Sequence, residues 1–198
     1  MMQEITLNAK TRDTGKKGAK ATRNEGYVTG VYYIKGEENI SIKVKPIDLR
    51  PIVYTNITKI VQLNVEGHTE PYQCLLKAIS FDPVTDAIVH FDLLGLKKGQ
   101  KITVDLPIKV VGQAVGVRLG GKLMHTLHKV KVHSLPSDLV EAFEVDVTKL
   151  NMGDSIMLSD IDFGNMEIDL PLDTNIVQVT RPRGGTVTTT GTEADTAV

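Results

Sequence analysis

Apolar and polar residues alternate one by one in run after run of this chain, and that period of two narrows the fold before composition is consulted. Glu4-Ile-Thr-Leu-Asn8, Asn39-Ile-Ser-Ile-Lys-Val-Lys45 and Thr126-Leu-His-Lys-Val-Lys-Val-His133 all read this way. A helix would scatter those apolar side chains around its surface, whereas a strand collects them on one face. Tyr27-Val-Thr-Gly-Val-Tyr-Tyr-Ile34 adds a β-branched and aromatic strand. Lys59 to Val65 and Glu70 to Ile79 form a hairpin about Gly67, and Ala87 to Leu93 is a strand after the Asp82-Pro83 turn. Lys35-Gly36-Glu37 makes another turn. Only two short helices fit. One runs from about Gly18 to Glu25 and stops at a left-handed Gly26. The other runs from Ile47 to Tyr54, opened by Pro46 and shortened or kinked by Pro51. Residues 1–94 therefore predict an α+β domain with six strands in a partly closed barrel.

Gly95-Leu-Lys-Lys-Gly99 reads as a linker or tight junction. Beyond it, residues 95–182 predict a second, all-β domain, so the chain as a whole is mostly β. Its strands are Ile102 to Val111, Thr126 to His133, Phe143 to Val147, Ser155 to Leu158, the stretch from Glu167 and Asn175 to Thr180. Pro107 argues that the first of these lies at a sheet edge. Val115 to Gly121 is a glycine-marked connection, read as a β-turn or bulge. From Arg181 the sequence turns Gly/Thr-rich, and residues 183–198 predict a disordered tail.

Composition excludes several functions. One cysteine forbids an internal disulfide and fits a reducing compartment. No apolar run approaches the roughly 18 residues of a membrane helix, and Met1-Met-Gln-Glu-Ile lacks a secretory signal pattern. A cytoplasmic protein without a membrane partner is expected. Trp is absent and aromatics make up 5%, which disfavours base stacking on an aromatic sheet.

The net charge of -1 hides one concentrated patch. Within Lys10 to Arg23, the cations Lys10, Arg12, Lys16, Lys17, Lys20 and Arg23 face a single carboxylate, Asp13. Gly15 and Gly18 let the backbone approach a partner closely. On a helix Lys16, Lys20 and Arg23 would share one face. A glycine-hinged basic loop feeding such a helix is a phosphate-binding arrangement, although ordinary solvated lysines would also account for it.

His90-Phe-Asp92 is the second chemical feature. Positions i and i+2 of a strand point the same way, so the imidazole and the carboxylate sit side by side while Phe91 faces the core. Such a pair can meet a base edge or a phosphate, or it can simply satisfy itself at a strand end. His125, His128 and His133 lack a cysteine or acidic ligand to complete a zinc set, and His128 and His133 would fall on opposite faces of one strand. Cys74 has no positioned base and reads as a buried thiol. Gly116-x-x-x-Gly120-Gly121 lacks the Lys-Ser/Thr ending of a phosphate loop. The carboxylates from Glu141 to Asp173 fall at alternate strand positions and turns, as on a solvated face. No catalytic residue, metal site or cofactor is expected.

Set in order, these features resemble a known family. Arg12, Gly15-Lys-Lys-Gly18, Arg23, the Tyr27–Tyr33 strand, Asp82-Pro83 and His90-Phe-Asp92 resemble the bacterial large-subunit ribosomal proteins that bind 5S rRNA, number twenty-five in their series. Gly120-Gly121, Glu144-Val-Asp-Val and Leu150-Asn-Met-Gly-Asp154-Ser resemble the extension of the long form, the general stress protein CTC type. The likeness spans roughly residues 3–180. It implies a barrel like the anticodon-binding domain of glutaminyl-tRNA synthetase, docked on the loop E region of 5S rRNA within the large ribosomal subunit. It implies RNA contacts from Arg12, Lys16, Arg23, His90 and Asp92; with the neighbouring cations Lys10, Lys17 and Lys20 of the basic stretch these are the expected RNA-binding residues, on a chain expected to be a monomer off the ribosome. Thr29 stands where the family usually has proline and Ile34 where it usually has glycine, which puts contacts from that strand edge in question. The rival reading is a free stress-response or protein-interaction module acting through the acidic second half. An enzyme using His90 and Asp92 as a general base pair would lack any visible nucleophile or metal set.

Overall fold

In the computed structural model, residues 4–181 are described, apart from residues 35, 37, 69 and 98. Residues 35 and 37 of the expected turn and the expected tail at 183–198 therefore lie outside the described residues, while Gly36 has the left-handed φ of +93°. The first half contains β1 (Glu4–Thr11), α1 (Gly15–Asn24), β2 (Val28–Tyr33), β3 (Ile40–Val44), α2 (Pro46–Val53), β4 (Ile60–Val65), β5 (Tyr72–Phe81) and β6 (Ile88–Gly95). The second contains β7 (Ile102–Val111), α3 (Val115–Arg118), β8 (Lys122–His125), β9 (Lys129–Ser134), β10 (Phe143–Asp146), β11 (Ser155–Met157), β12 (Glu167–Ile168) and β13 (Asn175–Thr180).

The six strands of the first half close into a barrel in the order β1-β3-β2-β6-β5-β4. Closure depends on two parallel pairs, β1 with β4 and β2 with β6, which join strands far apart in the chain. The inward residues follow the alternation. Leu7, Ile42, Val44, Val61, Leu63, Cys74, Phe91 and Leu93 form one buried core. α2 plugs it from one end with Leu49 and Ile52, and Pro51 is tolerated inside this eight-residue helix.

The second half builds two small sheets, in the orders β10-β7-β9-β12 and β11-β13-β8, around a second core. The two cores meet along one barrel strand. Adjacent residues of a strand face opposite ways. Cys74 accordingly points into the barrel, while its neighbour Leu75 is buried in the second core with Ile60, Leu94 and Leu96 packed around it. Lys77 Nζ crosses the same boundary to the carbonyl of Thr103 (3.0 Å) and the carboxylate of Asp105 (3.4 Å). The Thr58 N–H donates to the carbonyl of Glu141 at 2.8 Å. The two halves are thus in direct contact through side chains and backbone.

Several local expectations change. α1 begins at Gly15, so Lys16 and Lys17 belong to the helix and not to a loop ahead of it. Gly15 has φ +94°, and a side chain at Gly18 would meet the carbonyl oxygen of Asp13 at 2.6 Å, so the chain folds back on itself tightly enough to start the helix early. Pro107 does not lie at an edge, because β7 runs between β10 and β9. The Ile108 N–H donates to the His128 carbonyl at 2.9 Å, so the ring nitrogen of Pro107 faces the other side, where pairing with β10 begins only at Ile108. Proline therefore removes no ladder hydrogen bond. Val115 to Gly121 holds the single helical turn α3 before the left-handed Gly120, φ +94°. Residues 126–128 leave the expected strand: the Thr126 and Leu127 N–H groups both turn to the Ile176 carbonyl. Only Lys129–Ser134 remains as β9.

Candidate nucleic-acid interface

α1 has almost no apolar side to bury. Of its ten residues Thr22 alone is buried, while Lys16, Lys17, Lys20 and Arg23 are exposed. Its packing rests on small residues that allow close approach, and the Thr22 hydroxyl closes back on the Gly18 carbonyl at 2.9 Å. Glu25 just beyond the helix pairs with Lys43 of β3 at 2.8 Å, which pins the C-terminal end to the barrel wall. Lys16, Lys17 and Lys20 have no ion pair among the described residues and project into solvent. A helix carrying this much unneutralised charge gains nothing in stability from it, and its cations remain available to a polyanion.

Arg23 joins the helix to the barrel. Its Nη2 donates to the Thr29 hydroxyl at 3.4 Å, and that hydroxyl donates to the Val89 carbonyl at 3.1 Å. Thr29 is paired in register with His90, and Val31 with Asp92, because β2 and β6 run parallel side by side. The outward face beyond α1 then presents His90 and Asp92, with His90 Nδ1 3.0 Å from Asp92 Oδ1. Their side chains are 33% and 34% exposed, half-sheltered yet open to a partner. Phe91 between them is fully buried, as alternation requires. Tyr33, two positions beyond Val31 on the same face, has its phenol pKa raised by burial and by the Asp92 charge, which places it beside that carboxylate. On the other flank Ser80 of β5 is paired with His90 and Ala78 with Asp92.

The remaining two cations lie at the end of β1. Lys10 makes an exposed contact with Glu66 at 3.5 Å. Arg12 donates from Nη1 to the Asp13 carbonyl at 3.0 Å, while its Nε is buried without an acceptor among the described residues. A cleft of about 410 Å³ runs beside it, between β1 and α1, and Gly18, Thr22 and Lys43 line its far wall.

The structure thus brings Arg23, Thr29, His90, Asp92 and Tyr33 onto one face, with the helix cations beside them. Thr29 and Tyr33 were not among the sequence candidates. The signal for both was present: Thr29, Val31 and Tyr33 fall at alternate positions of one strand. What the sequence could not supply was the neighbour, since β6 lies sixty residues further on. His125 and His128, of which only the second was assigned to the expected strand, meet with Nδ1–Nδ1 at 2.9 Å and edge-to-face rings. Among the described residues no group of three or more potential ligands surrounds them or any other point. Cys74 is fully buried, and burial pushes its thiol up to about 12.

Two family models match this chain. The Ribosomal L25p family covers residues 7–93, and the C-terminal domain of ribosomal protein TL5 covers residues 101–183. Among curated relatives, the large ribosomal subunit protein bL25 of Chloroherpeton thalassium is 38% identical over 161 residues, 81% of this chain and 80% of that protein. Its counterpart in Chlorobaculum parvum is 33% identical over 187 residues, 92% of each chain. That of Porphyromonas gingivalis is 34% identical over 154 residues, 78% of this chain and 80% of the other.

Proposed function

This chain belongs to the Ribosomal L25p family, in the long form with a TL5-type C-terminal domain, and from that premise we propose that its barrel holds 5S rRNA at the loop E region. As a member of that family it is a non-enzymatic structural constituent of the large ribosomal subunit, at work in the cytoplasmic ribosome. No helix among its described residues is long and apolar enough to cross a membrane.

The observation that carries the RNA reading is the bridge from Arg23 through Thr29 to the strand of His90. It makes one surface of two chemistries. The cations of Lys10, Arg12, Lys16, Lys17, Lys20 and Arg23 supply phosphate contacts, which fix register and carry most of the affinity. His90 and Asp92 supply a donor and an acceptor for base edges or 2′-hydroxyls exposed in a shallow minor groove. RNA duplexes are recognised mainly by shape and backbone, and a rigid barrel wall with a helix laid across it is suited to that task. Thr29 in place of the family's usual proline adds a hydroxyl tether for Arg23, so β2 keeps a role in the interface. Barrel closure leaves no unpaired strand edge among the described residues of the first half, in keeping with a monomer off the ribosome.

The test is binding of the full chain to isolated 5S rRNA across a salt series. Replacing Arg12, Lys16 and Arg23 together by alanine is expected to weaken binding and flatten the plot of log affinity against log salt, by roughly 0.9 for each phosphate left without its cation. His90→Ala with Asp92→Ala is expected to weaken binding at every salt concentration with little change of slope. A triple variant that remains folded and keeps both affinity and slope would remove the interface assignment.

A further inference from the structure

A second cationic surface lies away from α1, where the two halves of the chain meet. The junction leaves an open groove of about 570 Å³, with Lys59 on the barrel side and Lys109, Lys129, His125 and His128 on the side of the second half. Its walls are fastened together by Leu75 in the second core, by Lys77 on Asp105, and by the Thr58–Glu141 backbone hydrogen bond. The groove is therefore held in shape and is not a gap between two loosely tethered bodies.

Charge decides its occupant. Among the described residues Asp105 is the one carboxylate lining the groove, and Lys77 already neutralises it. Lys109 is paired with Glu144 across the sheet. Among the described residues Lys59 Nζ reaches only the carbonyl of Pro51, at 3.4 Å. Lys129 has no ion pair among the described residues, nor has Lys131, which shares its outward face two positions along β9. His125 and His128 add imidazoles that share a hydrogen bond. All of these groups except Lys59 and Lys77 stand in residues 96–180, where carboxylates outnumber lysine and arginine, so the free cations Lys129 and Lys131 run against the composition around them. Apolar side chains of Leu76, Ile79 and Pro107 lie between them and give sugar carbons a surface to pack on.

We propose that this groove binds a phosphodiester backbone: a second segment of ribosomal RNA, separate from the one held by α1, lies along Lys59, Lys129 and Lys131. The inference rests on the reading that the chain is seated on ribosomal RNA. Backbone contacts of this kind set orientation without reading sequence, so the second domain acts as a brace that fixes the angle of the barrel on its RNA.

Directed hydroxyl-radical cleavage on large subunits rebuilt with the full chain tests this. The native thiol, Cys74, is buried, so a single introduced cysteine can carry an iron chelate. Lys129→Cys is expected to cut ribosomal RNA at positions different from those cut by Lys20→Cys on α1. Cutting from Lys20→Cys with none from Lys129→Cys would overturn the groove assignment alone. Silence from both would overturn it together with the 5S rRNA interface. Crosslinking of Lys129→Cys to a neighbouring protein in place of RNA cleavage would assign the groove to a protein partner and sink the proposal. Replacing Lys59 and Lys129 by glutamine gives an independent readout: over a fourfold rise in salt, the native chain should lose roughly tenfold more affinity for those subunits than the variant. Identical salt dependence of the two would also refute the proposal.

Discussion

Gly30→Ala tests whether the barrel interior and the His90–Asp92 face are one mechanical unit. Gly30 lies on β2 in register with Phe91, and a methyl group built there would meet three carbons of the Phe91 ring at 2.3, 2.5 and 2.6 Å. Carbon atoms rest about 3.5–4.0 Å apart, so the ring would have to retreat by roughly 1 Å or more. It has nowhere to go, since Phe91, Leu7, Ile42 and Leu63 are all fully buried in the same core. Overpacking of this kind costs about 1–3 kcal/mol. Alanine in a strand recovers roughly 0.5–1 kcal/mol relative to glycine, which leaves a net loss centred on about 1 kcal/mol and reaching about 2.5 kcal/mol where the ring cannot retreat. In a chain of this size about 1 kcal/mol corresponds to a fall in melting temperature of roughly 2–4 °C. The assay is thermal and urea unfolding of the full chain, run beside 5S rRNA binding. Because Phe91 separates His90 from Asp92, a displaced ring should weaken binding through those two residues while leaving the salt slope set by the cations unchanged. Gly30→Ala with Phe91→Leu, which makes room, should recover part of the stability. If Gly30→Ala alone is as stable as the native chain and binds as well, the packing argument fails.

Two further outcomes follow from ionisation. Cys74 should resist alkylation at pH 8 in the folded chain and react once urea unfolds it; because its folded pKa is raised to about 12 from 9.0, stability should fall as pH rises from 9 towards 12, and rapid labelling of the native protein would contradict its burial. His125 has its pKa lowered, first by burial and then by the charge of His128, so the folded state disfavours its protonation and stability should fall as pH drops below the ordinary 6.5; His125→Gln should lose that part of the dependence, and an unchanged profile would refute it.

What could be read from the sequence divides along the range of the interactions. Alternation in Glu4–Asn8 and Asn39–Lys45 was enough to find β1 and β3, and the same rule placed His90 and Asp92 together with Phe91 behind them. These are choices between neighbours two residues apart, and strand geometry alone settles them. In the second half the chain departs from its local pattern where a distant segment intervenes. Residues 126–128 keep the alternating pattern of a strand, yet the Thr126 and Leu127 N–H groups are taken by Ile176, about fifty residues away. Pro107 looks like an edge residue until β10 is seen to begin pairing one position later.

The basic stretch shows the same division inside the candidate site itself. Its composition determined that it would carry charge, and its spacing determined that Lys16, Lys20 and Arg23 could share a helix face. Only the tertiary structure decided that Arg23 reaches Thr29. The parallel pairing of β2 with β6 then lays that hydrogen bond beside His90. Charge and periodicity belong to the chain as written. A parallel pair joins strands about sixty residues apart, and which strands meet is settled by burying two faces at once, a condition that no stretch of sequence meets on its own.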